Sequence, residues 1–116
     1  MKISQIVEAL DAKVLCGRQN LEQEINGAFG SDMMSDALAF MHENTLLLTG
    51  MVNAHVIRTA EMLDVNCIVF VRGKPVPEEV VEMAKGLDMV LLGTSKTLYA
   101  SCGILYGAGL PACTRE

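Results

Sequence analysis

The sequence predicts an α/β domain of three or nearly three layers, with a mainly parallel sheet built from repeated strand–glycine–helix units. Two observations carry that expectation. Three apolar, strand-sized runs (Thr45–Thr49, Cys67–Val71 and Met89–Leu92) end at turns marked by Gly50, Gly73 and Gly93. Each turn leads into a segment whose apolar residues recur at helical spacing. Strands that are apolar at nearly every position and alternate with helices belong to a sheet covered on both faces. With 116 residues the chain fits one domain, 1–116, and is long enough to bury a core without disulfide or metal staples.

Taken in order, Ile3, Ile6, Val7 and Leu10 share one helical face, and Lys13-Val14-Leu15-Cys16 reads as a short strand ending at Gly17. Gln19–Glu24 is a polar loop in which Leu21 is placed to pack inward. Ile25–Phe29 is expected to be a strand closed by Gly30. Ser31 or Asp32 then caps a helix through Met33, Met34, Ala37, Leu38 and Met41, because a side-chain oxygen there accepts from an unpaired amide. After Thr45–Thr49, the helix face is Val56, Ile57, Ala60 and Leu63, with Arg58 and Glu61 off it. After Cys67–Val71, Pro77 suits a first helical turn, Glu78 and Glu79 complement the helix dipole, and Val80, Val81, Ala84 and Leu87 form the buried face. After Met89–Leu92, Thr94, Ser95 or Thr97 can cap a last helix with the stripe Leu98, Cys102 and Leu105, which Gly107-Ala108-Gly109 ends.

Composition narrows the function classes. An apolar share of 51% with 20% charged residues excludes disorder. A net charge of −5 argues against nucleic acid or an anionic membrane as the main partner, while leaving room for a local basic pocket. No apolar run approaches a membrane span, and Met1–Gln5 lacks the apolar stretch of a signal peptide, so a cytoplasmic location is expected. The cysteines Cys16, Cys67, Cys102 and Cys113 are scattered without a CxxC pair and are read as reduced thiols. They and the two histidines, His42 and His55, show no metal-ligand spacing, and no cofactor is expected.

Right-handed crossovers put the three glycine turns on one edge of the sheet, the edge where ligands bind in open α/β folds. That edge gathers Gly50, Met51 and Asn53 from the first turn, with Thr49 beside them. It adds Arg72, Gly73 and Lys74 from the second, and Thr94, Ser95 and Thr97 from the third, with Lys96 among them. Free amides at helix starts together with Arg72 and Lys74 suit a small anion, phosphate or a nucleotide. The competing reading is structural: Asn, Ser and Thr cap helices and the glycines permit tight turns. Arg72 can equally pair with a carboxylate at a subunit interface.

The catalytic signatures are thin. There is no GxxxxGK[ST], since Gly93-Thr94-Ser95-Lys96-Thr97 lacks the upstream glycine, and no GxGxxG follows a strand. Ser101-Cys102-Gly103 lies inside a helical pattern rather than at a nucleophile elbow. His55 stands alone near a helix start, where a base would need positioned partners. The eight methionines mostly fall on or beside apolar stripes, and Met51, in the first glycine turn, is the candidate for an adaptable interface.

The middle of the chain resembles the DRTGG domain. The residues that carry the resemblance are Leu47-Leu48-Thr49-Gly50, the helix Val56-Ile57-Arg58-Thr59-Ala60, Cys67–Gly73 with Pro75 and Pro77-Glu78-Glu79, and Leu92–Thr97. The similarity runs from about Ser31 to Leu110, and Met1–Cys16 resembles the leader helix and strand of the same family. That family is similar to the N-terminal domain of HPr kinase/phosphorylase, and it occurs in some phosphotransacetylases and in CBS-domain pyrophosphatases. Stand-alone members also occur, some beside kinases or hydrogenases. The resemblance implies a regulatory or dimerising module rather than an enzyme. Together with the strand-end edge it gives the expectation of a non-catalytic homodimeric module that binds there a small anion, phosphate or a nucleotide, or a partner such as a kinase or metabolic enzyme. Two alternatives stay open, a ligand-free adaptor and a small phosphoryl-transfer accessory enzyme using His55 or Ser95. The family's own residues are not intact. Gly-Asp-Arg is replaced by Gly50-Met51-Val52, and Thr-Gly-Gly by Val71-Arg72-Gly73, so that only Gly50 and Gly73 carry over. Arg72 is expected to return a positive charge to the edge from the neighbouring turn.

Overall fold

The computed structural model describes residues 1–113; residues 114–116 of the expected domain 1–116 lie outside the described residues. Five strands, β1 (Lys13–Cys16), β2 (Ala28–Gly30), β3 (Leu46–Thr49), β4 (Cys67–Phe70) and β5 (Val90–Gly93), form one sheet in the order β1-β5-β4-β3-β2. From β2 to β5 all neighbours are parallel, and β1 alone runs antiparallel, beside β5. The helices are α1 (Ile3–Leu10), α2 (Met34–Phe40), α3 (Ala54–Met62), α4 (Glu78–Gly86) and α5 (Leu98–Gly107).

The pleat divides the strands' apolar residues between two cores. Leu47, Ile68, Phe70 and Leu91 pack with α2, α3 and α4 on one face. Leu46, Leu48, Cys67, Val69, Val90 and Leu92 pack with α1 and α5 on the other. The result is the expected three-layer α/β arrangement. Each of α2, α3 and α4 carries the chain to the next parallel strand on the same face, and α5 then leaves β5 for the opposite one.

Several local expectations change. β2 begins at Ala28 rather than Ile25, because the amides of Ile25 and Asn26 donate to the carbonyls of Met1 and Asn44 instead of joining a ladder. Ile25 is nonetheless buried in the α1/α5 core. α2 starts at Met34 with Met33 as its N-cap and no capping side chain. Ser31 Oγ accepts from Met33 N at 2.9 Å, and Asp32 is drawn to other donors. Pro77 is the N-cap of α4 rather than a residue of its first turn, and Glu78 and Glu79 occupy that turn as expected. β5 starts at Val90, because the Met89 amide closes the end of α4 on Ala84 O. Met51 is half-buried against the core, so the exposed methionines are Met33 and Met62.

Among the described residues, positive φ outside glycine is confined to Asp11, Asn44, Asp64, Asp88 and Arg72. Aspartate and asparagine tolerate this conformation through local hydrogen bonds. Arg72, at φ 67°, does not share that excuse. Gly17 after β1 is obligatory for two reasons: its φ is +89°, and a Cβ there would lie 2.6 Å from Met89 O and 2.7 Å from Val90 Cα.

Candidate functional site

The connections after β2, β3, β4 and β5 emerge at the carboxyl edge of the parallel strands and bring two clusters together. The first is centred on Gly50. The Gly50 amide donates to Asp32 Oδ1 at 2.7 Å, and Thr49 Oγ1 donates to the same oxygen at 3.1 Å. Arg72 Nη2 lies 3.8 Å from Asp32 Oδ2, with both side chains nearly half exposed. The guanidinium crosses directly over Gly50, where a Cβ would sit 2.1 Å from Nη2. A side chain at position 50 would therefore have to displace the Arg72 guanidinium from this place. Lys74 Nζ donates to Gly50 O at 3.1 Å, and the Arg72 amide donates to Lys96 O at 2.8 Å.

A carboxylate thus already takes the donors that an anion at this turn would use. An exposed ion pair of this kind contributes about 1 kcal/mol or less, so the two hydrogen bonds from Gly50 and Thr49 are the stronger hold. Asp32→Ala is expected to destabilise the domain by about 1.5–3 kcal/mol, the usual worth of a hydrogen bond to a charged acceptor. A lower urea midpoint at unchanged slope checks it, and an unchanged midpoint refutes it.

The second cluster is a cleft of about 440 Å³. Asp11, Lys13 and Leu15 form one wall and Gly73–Val76 the other, with Phe70, Gly93, Thr94 and Ser95 between them. Its position follows from the connections. The chain leaves β4 for the face of α4 and leaves β5 for the face of α5, and a crevice opens where neighbouring connections diverge to opposite faces. Lys13 and Lys74 oppose a single carboxylate, Asp11, among the titratable liners, so the cleft is locally basic within a chain of net charge −5.

The nine sequence-derived candidates divide among these places. Gly73, Lys74, Thr94 and Ser95 line the cleft. Gly50 and Arg72 belong to the Asp32 cluster, and Lys74 joins the two. Asn53 caps α3 by accepting from Val56 N at 3.3 Å, and Thr97 caps α5 by accepting from Ala100 N at 3.3 Å. Met51 packs on the core. Thr94 is buried; its hydroxyl donates to Leu10 O at 2.8 Å and accepts from Lys96 N at 3.3 Å, so it ties the end of α1 to the β5 turn. Sequence reasoning missed Asp32, Asp11 and Lys13 as members of this edge. Placing β2 in the parallel sheet would have put Asp32 there, since it lies in the loop just after that strand.

The remaining reactive side chains stand apart. His55 is exposed on α3, and His42 is exposed beyond α2. Burial pushes the Cys67 thiol well up, and it raises Cys16 and Cys102 as well, which disfavours the thiolate. Among the described residues no group of His, Cys, Asp and Glu is arranged to hold a metal ion, and no helix is long and apolar enough to cross a membrane.

The sequence model of the DRTGG domain matches residues 5–106. The chain belongs to the DRTGG domain family. No curated protein matches the chain. Among solved structures, the CBS and DRTGG domains of the regulatory region of Clostridium perfringens pyrophosphatase, complexed with the activator diadenosine tetraphosphate, superpose with a TM-score of 0.70 at 17% identity. The alignment covers 99% of this chain and 50% of that one, so this DRTGG domain spans about half the length of its structural neighbour. Where the family pattern has Asp-Arg directly after the strand, this DRTGG domain has Met51-Val52 after β3 and Gly50. An aspartate and an arginine still meet over Gly50, supplied by the turns on either side as Asp32 and Arg72.

Proposed function

We propose that this DRTGG domain is a non-catalytic regulatory module, working as a homodimer, whose strand-end cleft takes a small phosphate-bearing anion, either phosphate itself or a nucleotide. The observation that carries the reading is the 440 Å³ cleft between diverging connections, with Lys13 and Lys74 on opposite walls. Two lysine side chains on the walls of a crevice are a source of positive charge for a compact dianion, and the exposed Ser95 hydroxyl adds a donor. The nucleotide activator bound by the regulatory region of the clostridial neighbour supports the choice of ligand class. Arg72 is a weaker candidate than Lys74, because Asp32 already faces it.

The test is a thermal-shift screen with phosphate, AMP, ADP, ATP and dinucleotide polyphosphates on the wild type, Lys74→Ala and Lys13→Ala. A ligand at one hundred times its dissociation constant stabilises the native state by about 2.7 kcal/mol. The expected result is a clear shift in the wild type that shrinks in both lysine variants. No shift with any anion overturns the ligand reading in favour of an adaptor that docks onto a kinase or metabolic enzyme. The exposed Met33 and Phe40 at the two ends of α2 would then be the first surface to examine.

A further inference from the structure

We propose that two copies of this domain pair through the outer face of α5, antiparallel about a two-fold axis that passes beside Cys102 and Gly103. The inference rests on the homodimer in the function proposed above and names its surface; it does not depend on what the cleft binds.

Helix α5, Leu98–Gly107, is apolar on every side, although only one side meets the core. Ser101 and Leu105 are buried and Leu98 and Cys102 half-buried, whereas Tyr99 is 91% and Tyr106 70% exposed, with Ile104 at 37%. A helix without a polar face is the pattern of one covered on both sides. From Leu98 to Cys113 the chain carries no charged residue.

That absence of charge selects the occupant. In an isologous contact a patch meets itself, so every charge on it approaches its own copy. The other exposed apolar side chains fail this condition. Met33 and, on α2 itself, Leu38 and Phe40 stand among Asp32, Asp36 and Glu43, and Met62 lies between Glu61 and Asp64 with a single cation, Arg58, one turn before it. In a chain of net charge −5, those faces repel their own copies. The α5 face does not.

The register is also self-complementary. The midpoint between Tyr99 and Tyr106 falls between Cys102 and Gly103, so antiparallel pairing there sets each Tyr99 beside Tyr106 of the second copy. Tyr106 borders an apolar groove of about 180 Å³ between α5 and the β2 edge, lined also by Gly30, Leu48, Cys102 and Leu105. A projecting Tyr99 and a groove beside Tyr106 make a knob and a hole at symmetric positions of one face. At the crossing, a Cβ on Gly103 would meet nothing within 4 Å, so the helix backbones are open to close approach there.

Sedimentation velocity over a concentration series, on the whole chain, tests this with the wild type and Gly103→Glu. Glutamate at this exposed helix position is a better helix former than glycine, so folding is preserved. It also sets like charges across the axis, which is expected to weaken pairing roughly a hundredfold. A second variant, Gly103→Cys, is expected to form disulfide-linked dimers under mild oxidation far faster than Lys85→Cys on the opposite face. A dimer unmoved by Gly103→Glu, or equal cross-linking at the two cysteines, overturns the α5 surface while leaving the homodimer standing. A wild type that stays monomeric at every concentration overturns both. The thermal-shift screen reports separately on the cleft.

Discussion

The Gly17→Ala protein is expected to be about 2–5 kcal/mol less stable than the wild type, from left-handed backbone strain of roughly 1–2 kcal/mol together with overpacking of about 1–3 kcal/mol. Gly17 leaves β1 with φ +89°, a conformation that an L side chain rarely adopts. Relaxing φ does not solve the problem, because the new methyl would press on Met89 O at 2.6 Å and Val90 Cα at 2.7 Å. Both are backbone atoms at the start of β5 and cannot swing aside as a side chain can. By contrast, the methyl of Gly50→Ala would meet the end of the Arg72 side chain, which can move. Urea unfolding of the two variants separates the cases. Gly17→Ala should lower the midpoint far more than Gly50→Ala, and equal midpoints would refute the assignment of strain to Gly17.

Phe70→Ala carries the second large effect, an expected loss of about 3–5 kcal/mol. Phe70 ends β4, is 1% exposed, and is among the largest fully buried side chains. It packs with the α2/α3/α4 core and also borders the basic cleft. Truncation removes apolar burial and leaves a hole that the surrounding strands, held on both edges of β4, cannot collapse to fill. For a domain whose total stability is about 5–15 kcal/mol, that is a large share. Calorimetry or urea unfolding checks it. A cost under about 1 kcal/mol would mean that the neighbouring side chains repack freely, contrary to the close packing of protein interiors.

Most of the fold is legible where local pattern and tertiary role agree. Ile3, Ile6 and Leu10 face one core because helical spacing leaves them no other side, and the three largely apolar strands β3, β4 and β5 are buried on both faces as such runs must be. The pattern loses information where a residue's partner is distant. Lys13-Val14-Leu15-Cys16 reads as a strand, yet nothing within it says that it runs antiparallel beside β5. Lys13 and Asp11 therefore do not declare themselves as walls of the cleft. Asp32 has the chemistry of a helix cap, but Gly50 and Thr49 offer its carboxylate two donors at once and the cap goes without. Thr94 looks like a ligand hydroxyl from its turn. Its partner, the Leu10 carbonyl, comes from the other end of the chain, and that is what buries it.

Lys74 stands in both clusters, and this has a thermodynamic consequence. Its ammonium group holds the Gly50 carbonyl while its side chain lines the cleft, so one charge is divided between a backbone turn and whatever enters beside it. An anion that draws the ammonium inward does so at the expense of the β3 turn, and a looser β3 turn releases the ammonium to the anion. Coupling of this kind is reciprocal: the factor by which cleft occupancy weakens the Asp32–Gly50–Arg72 arrangement equals the factor by which loosening that arrangement tightens the cleft. Asp32→Ala, which frees the turn, should therefore raise anion affinity even as it lowers stability. If the cleft takes an anion as proposed, Lys74 is the side chain through which its occupancy would reach the neighbouring loop.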